Sequence, residues 1–210
     1  MRWSDEVSTP IKSTKLHKVV ILDGSGSMQG DKYNNAELGV RQDYEACKKE
    51  FADYLLIEFS NRYTSKLYDF TGALTFNPEY GGTALYDTII KVFDSLSHIP
   101  DDEKVLVQIF TDGEDLHSIH ASHVAKARID KFNAKGWTVT FVGTEKDVKL
   151  VQKKLGIDST NTLVHDNTAK GVTRSFETFM EAQSTYTKNI SKGVDVTSGF
   201  FKDINNKTNG

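Results

Sequence analysis

A run of apolar residues, Val19-Val20-Ile21-Leu22, passes without a break into Asp23-Gly24-Ser25-Gly26-Ser27-Met28. Such a run has no solvated face, so it suits a strand buried on both sides, and strands of that kind belong to parallel sheets covered by helices above and below. The strand then stops on alternating oxygen side chains, which puts a carboxylate and two hydroxyls into one small volume. Hard oxygen donors at that spacing suit a small divalent cation, Mg2+ first. The same loop is also compatible with a plain strand-to-helix turn in which Asp and Ser cap backbone donors.

The rest of the chain repeats the alternation. Leu16 to Leu22 is the first strand, Val105 to Phe110 a second apolar one, Thr138 to Val142 another, and Thr162 to His165 a short last one. Tyr54 to Phe59 and Lys66 to Phe70 are joined by the polar turn Asn61-Arg62-Tyr63, too short for a crossover helix, so this pair is antiparallel. Helical spacing covers Ala36 to about Asp53, with Leu38, Tyr44, Cys47 and Phe51 as its stripe, and Leu85 to Leu96. It returns over Ser118 to Lys135, Asp147 to Leu155 and Thr173 to about Lys188. Gly136 and Gly156 stand where left-handed helix ends are wanted. The implied architecture is α/β: a doubly wound, mostly parallel sheet with one antiparallel edge strand and helices on both faces. Residues 1–15 read as an N-terminal arm, 16–188 as the domain and 189–210 as a polar C-terminal tail.

Composition narrows the function classes. At 210 residues the chain is sized for one cored domain. A formal charge of −3 offers no basic excess for phosphates, so nucleic acid is not expected as a partner. No apolar run approaches the roughly 20 residues of a membrane span, so no membrane role is expected. Met1-Arg2-Trp3-Ser4-Asp5-Glu6 lacks the apolar core of a secretory signal, and the single Cys47 suits a reducing compartment. The expected location is cytoplasmic.

Two further loops accompany the first: Gly81-Gly82-Thr83-Ala84-Leu85 and Phe110-Thr111-Asp112-Gly113-Glu114-Asp115. Together the three resemble the metal-ion-dependent adhesion site of von Willebrand factor type A domains, over roughly residues 16 to 188. The resemblance implies a metal set of Asp23, Ser25, Ser27, Thr83 and Asp112, holding Mg2+, with Mn2+ or Ca2+ as alternatives. It implies that the serines ligate directly, that Thr83 does so when a ligand is engaged, and that Asp23 and Asp112 act largely through waters. Because hydroxyls are neutral, an ion so held keeps most of its charge and attracts a Glu or Asp from a protein partner. Gly81 to Asp87, Gly136-Trp137-Thr138, Leu155-Gly156-Ile157 and Ala169 to Val172 look like the compact stand-alone A-domain proteins of bacteria and their phages.

Rival readings of the first loop fail on particular residues. A P-loop needs Gly-Lys-Ser/Thr where Met28-Gln29 follows Ser27; an Asp-x-Asp phosphatase has an acid where Ser25 stands; a hydrolase elbow needs Gly-x-Ser-x-Gly. The expectation is a metal-dependent protein-binding module and not an enzyme, with an assembly subunit of a phage or bacterial complex and a metal-dependent hydrolase as alternatives. Gly82, Glu114, Asp115 and His117 are candidate partner-binding rim residues. His120 and His123 would share a helix face, Asp87 would serve its own helix end, Trp137 and Cys47 would pack, and Phe200-Phe201 would either be exposed or fold back.

Overall fold

The computed structural model describes residues 14–204, so most of the N-terminal arm and residues 205–210 lie outside the described residues. Strands β1 (Leu16–Asp23), β2 (Asp53–Phe59), β3 (Tyr63–Tyr68), β4 (Lys104–Phe110), β5 (Thr138–Gly143) and β6 (Thr162–Val164) form one sheet in the order β3-β2-β1-β4-β5-β6. Every pairing is parallel except β2 with β3 at the edge. The helices are α1 (Asp31–Cys47), α2 (Leu85–Ser95), α3 (Ser122–Asn133), α4 (Glu145–Leu155) and α5 (Ala169–Ser191). No helix among the described residues is long and apolar enough to cross a membrane.

β1 is buried along its whole length, and its alternate residues feed two separate cores. Val20 and Leu22 pack with Val40, Tyr44, Phe176 and Phe179 under α1 and α5. Val19 and Ile21 pack with Ile89, Phe93, Ile129 and Val148 under α2, α3 and α4. Lys18 shares the first face and is fully buried. Its ammonium lies 3.1 Å from Asp43 Oδ2, donates to Gln108 Oε1 at 3.0 Å and Gln183 Oε1 at 2.6 Å, and sits 4.2 Å from the Phe179 ring centre. Tyr54 Oη and Gln183 Nε2 complete the shell of Asp43. A buried ion pair persists only when its remaining hydrogen-bonding capacity is met, as here.

Several element bounds differ from the sequence reading, each for a local reason. α1 begins at Asp31 because Gly30 turns the chain with a φ of 87°. It ends at Cys47, after which Ala52 N–H joins Leu16 O and starts β2. Its buried stripe is Tyr33, Ala36, Val40, Tyr44 and Cys47; Leu38 is half exposed. α3 starts at Ser122 because the Asp87 carboxylate accepts the Ile119 and His120 N–H groups and holds them out of the helix. His120 therefore precedes the helix and shares no face with His123. α5 starts at Ala169, where Thr168 caps it by accepting the Gly171 N–H. Trp137 is buried and stacks on Phe132 at 4.4 Å.

Beyond α5 the sequence is polar on average, yet Val196, Phe200 and Phe201 enter the α1/α5 core. Phe200 lies 4.9 Å from Phe179, its N–H bonds to Asn161 Oδ1, and Phe201 N–H bonds to Thr160 O. The aromatic pair folds back, and the segment that carries it is no free tail as far as Ile204.

Two tests follow from this packing. A Cβ on Gly39 would fall 2.3 Å from the Phe176 ring, so Gly39→Ala is expected to destabilise by about 1–3 kcal/mol in urea melts. At the opposite end of β1, His17 bonds to Asp53 at 2.9 Å and to Glu103 at 2.6 Å. Burial pulls the imidazole pKa down, but the hydrogen bonds and charges of these carboxylates outweigh it and leave it raised. The stabilisation is then complete below the unfolded value of about 6.5 and is lost as pH rises through the raised folded value. Stability should therefore decline over that alkaline step in wild type, and His17→Gln should flatten it.

Candidate metal centre

β1 and β4 are neighbours at the centre of the sheet, so Asp23 and Asp112 emerge side by side at its carboxyl edge, where ligands of open α/β sheets gather. Asp23 is fully buried: Oδ1 accepts the Ser25 N–H at 2.7 Å and Oδ2 accepts the Thr111 hydroxyl. Burial pushes its carboxyl up to about 6, a shift the Thr111 and Ser25 hydrogen bonds hold in check. The loop after Asp23 is fastened by its backbone, with Gly24 N–H on Phe59 O at 2.8 Å and Gly26 N–H on Gly81 O at 2.9 Å. A short 3-10 turn, Gly26–Met28, then brings Ser25 Oγ and Ser27 Oγ to 3.1 Å.

Asp112 closes the group from β4. Ser27 Oγ donates to its Oδ1 at 2.6 Å, and Lys32 from the first turn of α1 pairs with its Oδ2. Thr83 is held by its backbone: its carbonyl accepts the Leu116 and His117 N–H groups, both at 3.0 Å, and its N–H donates to His117 Nδ1 at 3.2 Å.

Gly113 shows that these oxygens converge. A Cβ placed there would stand 3.3 Å from Thr83 Oγ1, 3.4 Å from Ser27 Oγ and 3.8 Å from Asp23 Oδ2. Three loops thus present hard oxygens around one small space, a donor set suited to Mg2+. No group of three or more His, Cys, Asp or Glu side chains among the described residues could hold a metal.

The structure brings Asp23, Ser25, Ser27, Thr83 and Asp112 together. The rim residues have individual duties. His117 lies against Gly82, Asp115 Oδ1 accepts the Tyr86 N–H at 3.2 Å at the start of α2, and Glu114 pairs with Lys146 at 2.5 Å on the surface. Asp87 takes His120 Nδ1 at 2.8 Å and fastens the approach to α3, not its own helix end. Sequence reasoning passed over Thr111, Lys32 and Asn167. Thr111 stood beside Asp112 as context only, whereas Lys32 and Asn167 reach the site by long-range packing that no local pattern announces.

Neither a family model nor a curated protein matches the sequence. Solved structures do. The fold is von Willebrand factor type A-like. Proximal thread matrix protein 1 from the mussel byssus is 16% identical with a TM-score of 0.61, over 79% of this chain and 47% of that one. The pilus adhesin SpaC from Lactobacillus rhamnosus GG is 16% identical with a TM-score of 0.65, over 87% and 31%. The ArnB paralog VWA2 from Sulfolobus acidocaldarius is 17% identical with a TM-score of 0.56, over 79% and 45%. This chain thus spans less than half the length of each. At these identities the likeness speaks to the A-type fold alone.

The Gly82 contact yields a test. A Cβ there would lie 2.2 Å from the His117 imidazole, so Gly82→Ala should destabilise by about 1–3 kcal/mol, and adding His117→Ala should restore part of that loss. Additive losses in the double variant would refute the contact.

Proposed function

We propose that this chain is a divalent-cation-dependent protein-binding module, in which Mg2+ held by Ser25, Ser27 and Thr83, with Asp23 and Asp112 behind them, takes up a Glu or Asp of a protein partner. The observation that carries the reading is the convergence of Thr83, Ser27 and Asp23 oxygens around Gly113. Neutral hydroxyl donors leave a bound ion electrophilic toward an outside carboxylate. Asp23 is engaged by Ser25 and Thr111, and Asp112 by Ser27 and Lys32, so neither carboxylate is placed as a free general base. That favours binding over hydrolysis.

The rim adds an apolar element. Leu116 is 73% and Ile119 91% exposed, on the loop that follows Asp112. Their backbone N–H groups are fixed to Thr83 O and Asp87 Oδ2, so the side chains project from an anchored loop. Exposed apolar residues beside a charged site suit a partner whose acidic residue is flanked by apolar ones. Among the structures of similar fold, the mussel protein has a form with a zinc-occupied MIDAS motif and SpaC is an adhesin, which agrees with this reading by analogy.

The test is direct metal titration followed by affinity capture from bacterial lysate. Ser27→Ala should weaken Mg2+ at least about tenfold, an amount worth roughly 1.4 kcal/mol, and should lose the same partner band that EDTA removes. Leu116→Ser with Ile119→Ser should lose the band while leaving Mg2+ affinity intact. A partner held equally well in EDTA would overturn the proposal.

A further inference from the structure

We infer that Lys32 is a positioning residue that draws Asp112 away from the cation and so sets the site's preference for a carboxylate ligand; the inference rests on the metal-centre reading above. Lys32 lies in the first turn of α1, directly after the serine loop, with its side chain 22% exposed. Its ammonium pairs with Oδ2 of Asp112, whose side chain is fully buried, and donates to Asn167 Oδ1 at 3.1 Å. The other Asp112 oxygen takes the Ser27 hydroxyl at 2.6 Å. Asp112 is thus held between an ammonium and a hydroxyl, and Asn167, just ahead of α5, fixes the ammonium in turn.

Charge explains what this accomplishes. Asp23 and Asp112, behind the hydroxyls, would bring the cluster around a divalent ion to zero net charge and so weaken its pull on another anion. Lys32 returns one positive charge, so the loaded cluster carries a net single positive charge, the complement of one partner carboxylate. Lys32 also repels the ion, and at the dielectric of a partly exposed site that repulsion amounts to about tenfold or more in affinity. The lysine therefore weakens metal binding and strengthens the metal's hold on an incoming carboxylate. A side chain serving only to brace the fold would move both affinities in the same direction.

Mn2+ and acetate are sufficient probes, with the full chain at pH 7.5. Calorimetry reads Mn2+ affinity, and water-proton relaxation of bound Mn2+ reads displacement of coordinated water by acetate. Lys32→Met is expected to bind Mn2+ about tenfold more tightly and acetate at least about fivefold more weakly. Lys32→Arg, which keeps the charge, should stay within about threefold of wild type on both. Mn2+ binding by Lys32→Met alone, with none by wild type, would support the inference in its strongest form. Mn2+ binding by wild type that Lys32→Met leaves unchanged or weakens would overturn it and leave the metal-centre reading standing. Absence of Mn2+ binding from all three proteins would overturn both.

Discussion

The central strand governs this molecule. β1 is flanked by β2 and β4 in the sheet and by helices on both faces, so each of its side chains from Leu16 to Leu22 must be matched from above or below. That constraint divides the interior into two cores and fixes which helices lie on which side. It also decides where the polar residues that follow will emerge. Asp23 leaves the sheet at its carboxyl edge beside Asp112, and the Thr111 hydroxyl ties the two strand ends together. The cluster of oxygens is a consequence of strand order before it is a consequence of loop sequence.

Much of this was legible in the sequence, for definite reasons. Doubly buried strands show themselves as apolar runs, and Val19 to Leu22 and Val105 to Phe110 are unambiguous. The short link between β2 and β3 dictated their antiparallel pairing. Asp23, Ser25 and Ser27 stand out as alternating oxygen donors at a strand end, whereas Thr83 and Asp112 joined them only through the resemblance to the adhesion-site motif; the structure draws the three loops to one place.

What escaped the sequence reading was held by distance or masked by averaging. Lys18 sits inside a strand and finds its partners on α1, β4 and α5, contacts that no local window contains. Lys32 and Asn167 meet across 135 positions of chain. Phe200 and Phe201 are buried anchors in a stretch whose mean polarity hides them. α5 starts a turn early because Gly171 admits the Asp166 carbonyl where a Cβ would collide at 2.2 Å. Helix ends proved least legible, since capping by Thr168 and diversion by Asp87 depend on side chains aimed at particular backbone groups.

The cluster around Lys18 has a mechanical corollary. Gln183 is the contribution of α5 to it, accepting from Lys18 through Oε1 and donating to Asp43 through Nε2. If α5 slid along the sheet by one helical turn, about 5.4 Å, Gln183 would be carried out of reach and Phe179 or Thr187 would take its place beside the lysine. The Lys18–Asp43 pair would remain, but each of its charges would lose one hydrogen bond, at about 1.5–3 kcal/mol apiece. The final helix is therefore keyed at one height, like a bolt seated in its slot, and any axial displacement of it must first break both hydrogen bonds of Gln183.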